Sequence, residues 1–430
     1  MAVFDKLVAN LKQMEADCRF DLAAIDADVM TFLNQLGQHA LENPEPIFAI
    51  LRRFQPVLLV KDYALVTLYA DVQDVLLQDQ VFGVPYGPKM RVVTDGPDFF
   101  LGMPNSPAYE RDSVHMRSVI RRTDVSGIIV PFVAAASEAI VAAAQGHLEL
   151  VSQLTTKVPT EMICSYFGCA PDAVPDLAAG AATIFQYLFA DLNNDPALDA
   201  SARDASAHVR DWLDRCIAQR KASPSNDDIV IDRCFALQRA GLPAMDDVAI
   251  RDNLLGILVG AIPTTSKCCV QALDQLLKRP DMLAAAQQAA IRNDDVALAT
   301  YIFEALRFNP NNPGVFRETL QDYVVGKGTM HATRIPAGTT VLAATQSAMF
   351  DEAVVENPND FRADRSAYSY MFWGVGLHTC FGQYINQVQI PGILKPLLQR
   401  SNLRRAAGPD GALQTTGPYP SSLTVEYDVA

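Results

Sequence analysis

The sequence predicts a mainly α-helical protein with a small β region. Three features carry that prediction. From about residue 125 to 245 the chain is rich in alanine and reads as helix, with loop signals at Pro171–Pro175, Asn193–Pro196 and Ser223–Asp228. A long apolar run from about Asp247 to Leu277 reads as a further helix. Strand signals are short and confined to two places. Pro56–Val60, a Lys61-Asp62 turn and Ala64–Tyr69 form one hairpin pattern, and Arg334-Ile335, a Pro336-Ala337-Gly338 turn and Thr339–Ala344 form the other.

Taken in order, residues 1 to about 50 read as helix with polar faces and a break at Asn43-Pro44-Glu45-Pro46. The first hairpin feeds a short helix at Asp71–Leu77. Phe82 to Pro107, rich in Gly, Pro and aromatics and without a sustained period, reads as a long loop, which in a compact protein is usually functional or mobile. Arg111, His115, Arg117, Arg121 and Arg122 follow on a helical run. In the apolar run, Pro263 removes a backbone N–H and its ring clashes with the carbonyl of Val259, at about 3 kcal/mol in a regular helix, so a kink is expected at Gly260. Pro391 predicts a break or bend about three turns into the helix after Cys380, and Thr415-Thr416-Gly417-Pro418 precedes a final strand.

Composition bounds the function. At 430 residues, length alone permits two or three domains, but no Gly/Ser/Pro linker, repeat or low-complexity tract divides the chain. A formal charge of −14 with no Lys/Arg run argues against nucleic-acid binding. The opening residues Met1–Lys6 begin an amphipathic stretch with neither an apolar span of membrane length nor a signal-peptide pattern, so no membrane and a cytoplasmic location are expected. The eight cysteines are scattered, with Cys268 and Cys269 adjacent in a helical run, which fits reduced thiols better than a disulfide framework or a zinc site.

The chemistry concentrates in F-W-G-V-G-L-H-T-C-F-G, Phe372 to Gly382. Gly374 and Gly376 permit a tight turn beneath a flat ligand. Cys380 ends that turn, and the following residues read as the first turn of a helix, whose free N–H groups and dipole stabilise a thiolate. On its own such a sulfur is a nucleophile, a metal ligand or a small buried hydrophobe.

The G-x-G-x-H-x-C-x-G spacing resembles the heme-binding loop of the cytochrome P-450 family. The resemblance implies that Cys380 is the axial ligand of heme b and a metal ligand, that His378 bonds a heme propionate, and that Gly374 and Gly376 shape the loop. Trp373 stands where the family usually has Phe. Glu304-Ala305-Leu306-Arg307, 76 residues before the cysteine, matches the family's E-x-x-R. Asn357 to Arg365 looks like its P-x-x-F-x-P-x-R, with Ala363 at the second proline, so Arg365 is expected to join Glu304 and Arg307 in a buried network. Gly256 to Thr265 aligns with the distal helix. There Pro263 occupies the usual acid position, Thr264 keeps the alcohol, and Gly260 lies where relatives bulge to admit oxygen.

The same resemblance places propionate-binding arginines at Arg117 and Arg317 and the Phe82–Pro107 stretch over the distal side, with Phe82, Tyr86, Phe99 and Phe100 as walls. Arg121 and Arg122 form a candidate basic patch for an acidic electron donor. What it implies overall is a cytochrome P-450 fold as a single domain over 1–430, and a monooxygenase acting on a small apolar organic substrate. A separate ferredoxin and ferredoxin reductase would deliver electrons from NAD(P)H. Because Pro263 replaces the acid, a peroxide-using or hydroperoxide-rearranging enzyme is the alternative, and a non-catalytic heme protein the third reading.

Overall fold

The computed structural model describes residues 44–170, 174–191, 194–224 and 227–429, so the helical reading of residues 1–43 lies outside them. Helix α1 (Glu45–Phe54) starts at the expected break, because a proline in the first turn lacks an N–H that the helix leaves unbonded anyway. Strands β1 (Val57–Val60) and β2 (Tyr63–Val66) form the first hairpin, and α2 (Tyr69–Leu77) begins two residues before its predicted start. The Phe82–Pro107 stretch is more regular than a loop. It holds β3 (Phe82–Gly83), α3 (Gly87–Thr94) and a single 3₁₀ turn at Phe100–Gly102. Pro88 starts α3 and Asp95, with φ 55°, ends it.

Helix α4 (Pro107–Val119) is capped by the Ser106 hydroxyl, which accepts from Tyr109 N at 3.1 Å. A π-helical turn at Val125–Ile129 leads into α5 (Val130–Ala143), followed by β4 (His147–Glu149) and α6 (Lys157–Phe167). Helices α7 (Val174–Phe189), α8 (Pro196–Ala222) and α9 (Val230–Arg239) fill the alanine-rich region as predicted. Helix α10 (Asp247–Leu277) runs 31 residues through the core, opened by the Asp246 carboxylate accepting from Ala249 N. Leu254, Leu258, Ile262, Leu273 and Leu276 are all buried on it, each contributing about 1.5–3 kcal/mol. Helices α11 (Pro280–Ile291) and α12 (Asp295–Phe308) pack beside it.

The remaining strands are β5 (Val315–Thr319), β6 (Tyr323–Val325), β7 (Thr333–Ile335) and β8 (Thr340–Ala343). A one-turn helix α13 (Thr345–Ala348), α14 (Gln383–Leu398), β9 (Arg404–Arg405), β10 (Gln414–Thr416), β11 (Tyr419–Ser422) and β12 (Thr424–Glu426) complete the chain. The main sheet has the order β1-β2-β8-β5-β3, with β2 and β8 parallel.

Two expectations are corrected. The second hairpin does not form: β7 pairs with β6, while β8 joins β2 and β5. The Gly338 turn, at φ 81°, is bonded instead to Thr319, whose carbonyl accepts from Gly338 N and whose N–H donates to Thr339 O. That swings the chain out of one sheet and into the other. Nor does Pro391 break its helix. Helix α10 passes through Pro263 and α14 through Pro391 and Pro396 without interruption. Buried Ile390, Ile393, Leu394 and Leu397 hold α14 in place on either side of Pro391.

Among the described residues, two helical stretches are long and apolar enough to cross a bilayer, Val125–Ala143 and Asp247–Leu277. The second is the core helix, and the first packs against α14 and carries Glu138, which pairs with Arg400.

Candidate active site

Helix α10 is buried along its central length except for one stripe. Gly260, Ala261, Thr264 and Cys268 keep accessible surface while their neighbours do not, and that spacing is one face of a helix. A Cβ built on Gly260 meets nothing within 4 Å. The stripe faces the Cys380 loop: the Cys268 thiol is pushed up to about 12, first by burial and further by the proximity of Cys380. The Thr264 hydroxyl donates to Gly260 O, so its lone pairs remain free to accept.

Across from the stripe, the loop is fixed by its own backbone. Gly374 (φ 69°) bonds Met371 O, Gly376 (φ 79°) accepts from Thr379 N, and Cys380 N donates to Trp373 O at 2.8 Å. A Cβ on Gly376 would lie 2.7 Å from Leu76 O, so both the turn and the contact with α2 require glycine here. Gly376→Ala is expected to cost at least about 1–2 kcal/mol in strain, with the collision added. Gly408→Ala, at φ 76° with open space around it, isolates the strain alone. Denaturation midpoints of the two variants measure the difference.

The Gly382 and Gln383 N–H groups point at the Cys380 sulfur and favour its thiolate, as the sequence predicts, but burial outweighs them and holds the thiol above its usual range. Helix α14 itself starts only at Gln383. Such a sulfur ionises when a cation meets it, which is the behaviour of a metal ligand rather than of a free nucleophile.

Arg317 is 5% exposed, and no carboxylate pairs with it among the described residues. It donates to Phe316 O at 2.8 Å, and burial lowers its pKa. Its charge also reaches His378, whose pKa falls to about 4, chiefly through burial. The structure therefore sets Arg317 close enough to His378 for its charge to be felt. Arg117 is placed differently: it is exposed, with its guanidinium 5.0 Å from the Phe381 ring centroid. Helix α4 instead buries Asp112, Ser113 and His115, and the His115 Nδ1 and Ser113 Oγ both lie without a partner. A buried guanidinium without a counterion and an orphaned imidazole nitrogen are the features a bound carboxylate satisfies. With Cys380 and its two amide donors, they fit a heme and its propionates.

Behind the loop, Glu304 and Arg307 are fully buried and joined by two bonds of 2.8 and 3.0 Å. Arg365 adds a bond of 3.0 Å to Glu304 Oε1, and the Tyr370 hydroxyl donates to Oε2 at 3.1 Å. Trp373 packs against Phe303 and Phe372 and lines a concavity of about 1210 Å³ that neither Thr264 nor Arg317 touches. That cavity lies on the far flank of the loop, between α5, α12 and α14.

Of the predicted walls, Phe99 packs under Gly256 and Phe100 lies edge-on to Phe381 at 5.0 Å, while Tyr86 reaches Phe189 and the Phe316 carbonyl. Phe82 instead belongs to the core of the small sheet, against Tyr323. Arg121 pairs with Asp228 and Arg122 lies over the Tyr384 ring, so the expected basic patch is partly neutralised. Sequence reasoning missed Tyr109, whose hydroxyl donates to Leu377 O at 2.7 Å, and Lys267 on α10. Nothing in the sequence marks Tyr109, whereas a lysine inside an apolar run was a readable signal.

A match to the family described as cytochrome P-450 spans residues 182–410, just over half of the chain. Steroid C26-monooxygenase of Mycobacterium tuberculosis (strain CDC 1551 / Oshkosh) is 24% identical over 269 residues, 63% of this chain and 68% of that protein. Linoleate diol synthase of Gaeumannomyces graminis is 38% identical over 89 residues, 21% of this chain and 7% of that protein. Among solved structures, cytochrome P-450 BioI in complex with hexadec-9Z-enoic acid ligated acyl carrier protein superposes with a TM-score of 0.77 at 17% identity, covering 90% of this chain and 98% of that one.

Proposed function

The chain belongs to the cytochrome P-450 family, and on that premise we propose that it is a cytoplasmic, single-domain heme-thiolate monooxygenase. It inserts one oxygen atom from O2 into an apolar organic substrate, by C–H hydroxylation or epoxidation. A separate ferredoxin and reductase supply electrons from NAD(P)H. The observation that carries this reading is the pairing of Cys380, with its two amide donors, against the Thr264 stripe of α10, beside the unpaired Arg317.

When bound, heme supplies oxygen activation, and its thiolate ligand donates electron density that favours O–O cleavage. The protein's own residues do the rest. Cys380 ligates the iron from the loop, and the Gly382 and Gln383 N–H groups temper the charge on its sulfur. Arg317, His378 and His115 hold the propionates, with Arg117 at the exposed edge. Gly260 leaves room beside α10, and Thr264 relays protons through its hydroxyl, accepting from water and donating onward when it releases the Gly260 carbonyl.

Thr264→Ala is expected to leave NAD(P)H consumption running while product falls by ~10²-fold or more, the scale of a lost positioned proton donor. The ratio of product to NAD(P)H consumed measures it, and unchanged coupling removes Thr264 from the proton path. The function itself is tested by screening substrates through the heme spectral shift. Product analysis then compares NAD(P)H with surrogate partners against peroxide alone.

Pro263 favours a second reading, a heme-thiolate enzyme that consumes peroxide or rearranges an organic hydroperoxide. The position holds a residue with neither a proton to give nor an N–H. The local similarity to a linoleate diol synthase agrees with lipid-like substrates. Turnover with peroxide and no reductase would establish it.

A further inference from the structure

Lys267 lies three residues beyond Thr264 on α10 and is 4% exposed. Among the described residues no carboxylate or carbonyl accepts from its ammonium; beside it stand the Tyr419 ring, with the centroid 5.9 Å from Nζ, and the Cys268 thiol. A buried ammonium without a counterion is expensive, and folds retain one where something else supplies the anion. Burial already lowers its pKa to about 8.

The second observation is independent. The Tyr419 hydroxyl is also buried without a partner. Tyr419 opens β11, directly after the Gly417-Pro418 tip that joins it to β10. Its ring meets Phe185 edge-on at 6.4 Å, Phe185 meets Phe189 at 4.8 Å, and Phe189 meets Tyr86 at 4.8 Å. An ammonium with no anion beside it and an unpartnered phenol thus stand at one end of an aromatic wall, next to the stripe that carries Thr264.

We propose that Lys267 and Tyr419 bind the carboxylate of the substrate, an amphipathic acid whose apolar body lies along Phe185, Phe189 and Tyr86. The inference rests on the oxygenase reading above and narrows its substrate class. The ammonium and the hydroxyl can each donate to one oxygen of a carboxylate, whose single negative charge balances the lysine. Anchoring the acid at one end fixes which carbon of the chain reaches Thr264, so the pair sets the position of attack as well as affinity.

The test titrates the heme-loaded full chain with dodecanoate, methyl dodecanoate and dodecanol, following the heme spectral shift and, in parallel, the heat of binding. Dodecanoate is expected to bind about 10- to 100-fold more tightly than the ester or the alcohol, the range for hydrogen bonds to a charged group. Lys267→Met should erase that gap, Lys267→Arg should keep part of it, and Tyr419→Phe should narrow it severalfold. Equal affinity for the three probes, or a gap that survives Lys267→Met, overturns the proposal. Loss of heme from Lys267→Met also overturns it, by assigning the ammonium to a heme propionate. The reduced carbon monoxide spectrum of the same samples separates the two readings. A normal band without acid preference removes the carboxylate site alone, and acid preference by calorimetry without the band removes the heme-thiolate reading alone.

Discussion

Cys380→Ala, reduced and exposed to carbon monoxide, is expected to lose completely the long-wavelength Soret band of sulfur-ligated heme. Cys268→Ala is expected to keep it. The comparison matters because the structure sets two thiols toward one another across the site, Cys268 on α10 and Cys380 on the loop. Only Cys380 receives the Gly382 and Gln383 N–H groups, which favour a sulfur anion, and only Cys380 ends a turn whose backbone is fixed by the bond to Trp373 O. Cys268, pushed up to about 12 mainly by burial, has no such pair of N–H groups to favour its anion. A band that survives in Cys380→Ala, or disappears in Cys268→Ala, would move the ligand to the other side of the site.

The second large effect is expected away from the chemistry. Glu304→Ala removes the one carboxylate shared by Arg307 and Arg365, whose side chains are 0% and 3% exposed. It also takes the acceptor from the Tyr370 hydroxyl and from Arg362 N. Two buried guanidiniums would remain without a counterion, at a cost of about 3–5 kcal/mol. Denaturant unfolding of the heme-loaded protein measures this, and a loss below about 1 kcal/mol would show that water or a neighbour replaces the carboxylate. Arg365→Ala should cost less, because Arg307 keeps its paired bonds to Glu304 and its bonds to Met349 O and Asp360 O. The network ties α12 to the segment that leads into the Cys380 loop, so heme retention should fall together with stability.

The parts of this arrangement legible in the sequence were those set by local chemistry. Two glycines in left-handed conformation, a cysteine before a helix start, and Glu and Arg at i,i+3 each carry a signal that needs no partner from far away. What stayed hidden depends on tertiary context. Whether β7 and β8 pair with each other is decided by Thr319, which holds the Gly338 turn from another strand. Pro391 reads as a break or bend, but the neighbours that hold α14 unbroken come from α5 and α10. Arg117 and His115 are two residues apart, and only the docking of α4 decides that the histidine turns inward. The Phe82–Pro107 segment has a short helix because Pro88 starts it and Asp95 stops it, a pattern too brief to stand out among glycines and aromatics.

The sulfur-bearing turn is clamped from several directions: the Leu76 carbonyl fills the space beside Gly376, the Tyr109 hydroxyl grips Leu377 O, and Tyr370 is moored to Glu304. An arriving molecule therefore meets a rigid floor. The opposite side is held more loosely, where Phe185 and Phe189 lean on each other and Phe185 and Gln186 meet the tip of the β10–β11 hairpin at Tyr419 and Gly417. Entry and exit are therefore expected to part aromatic shingles and to leave the clamped turn in place.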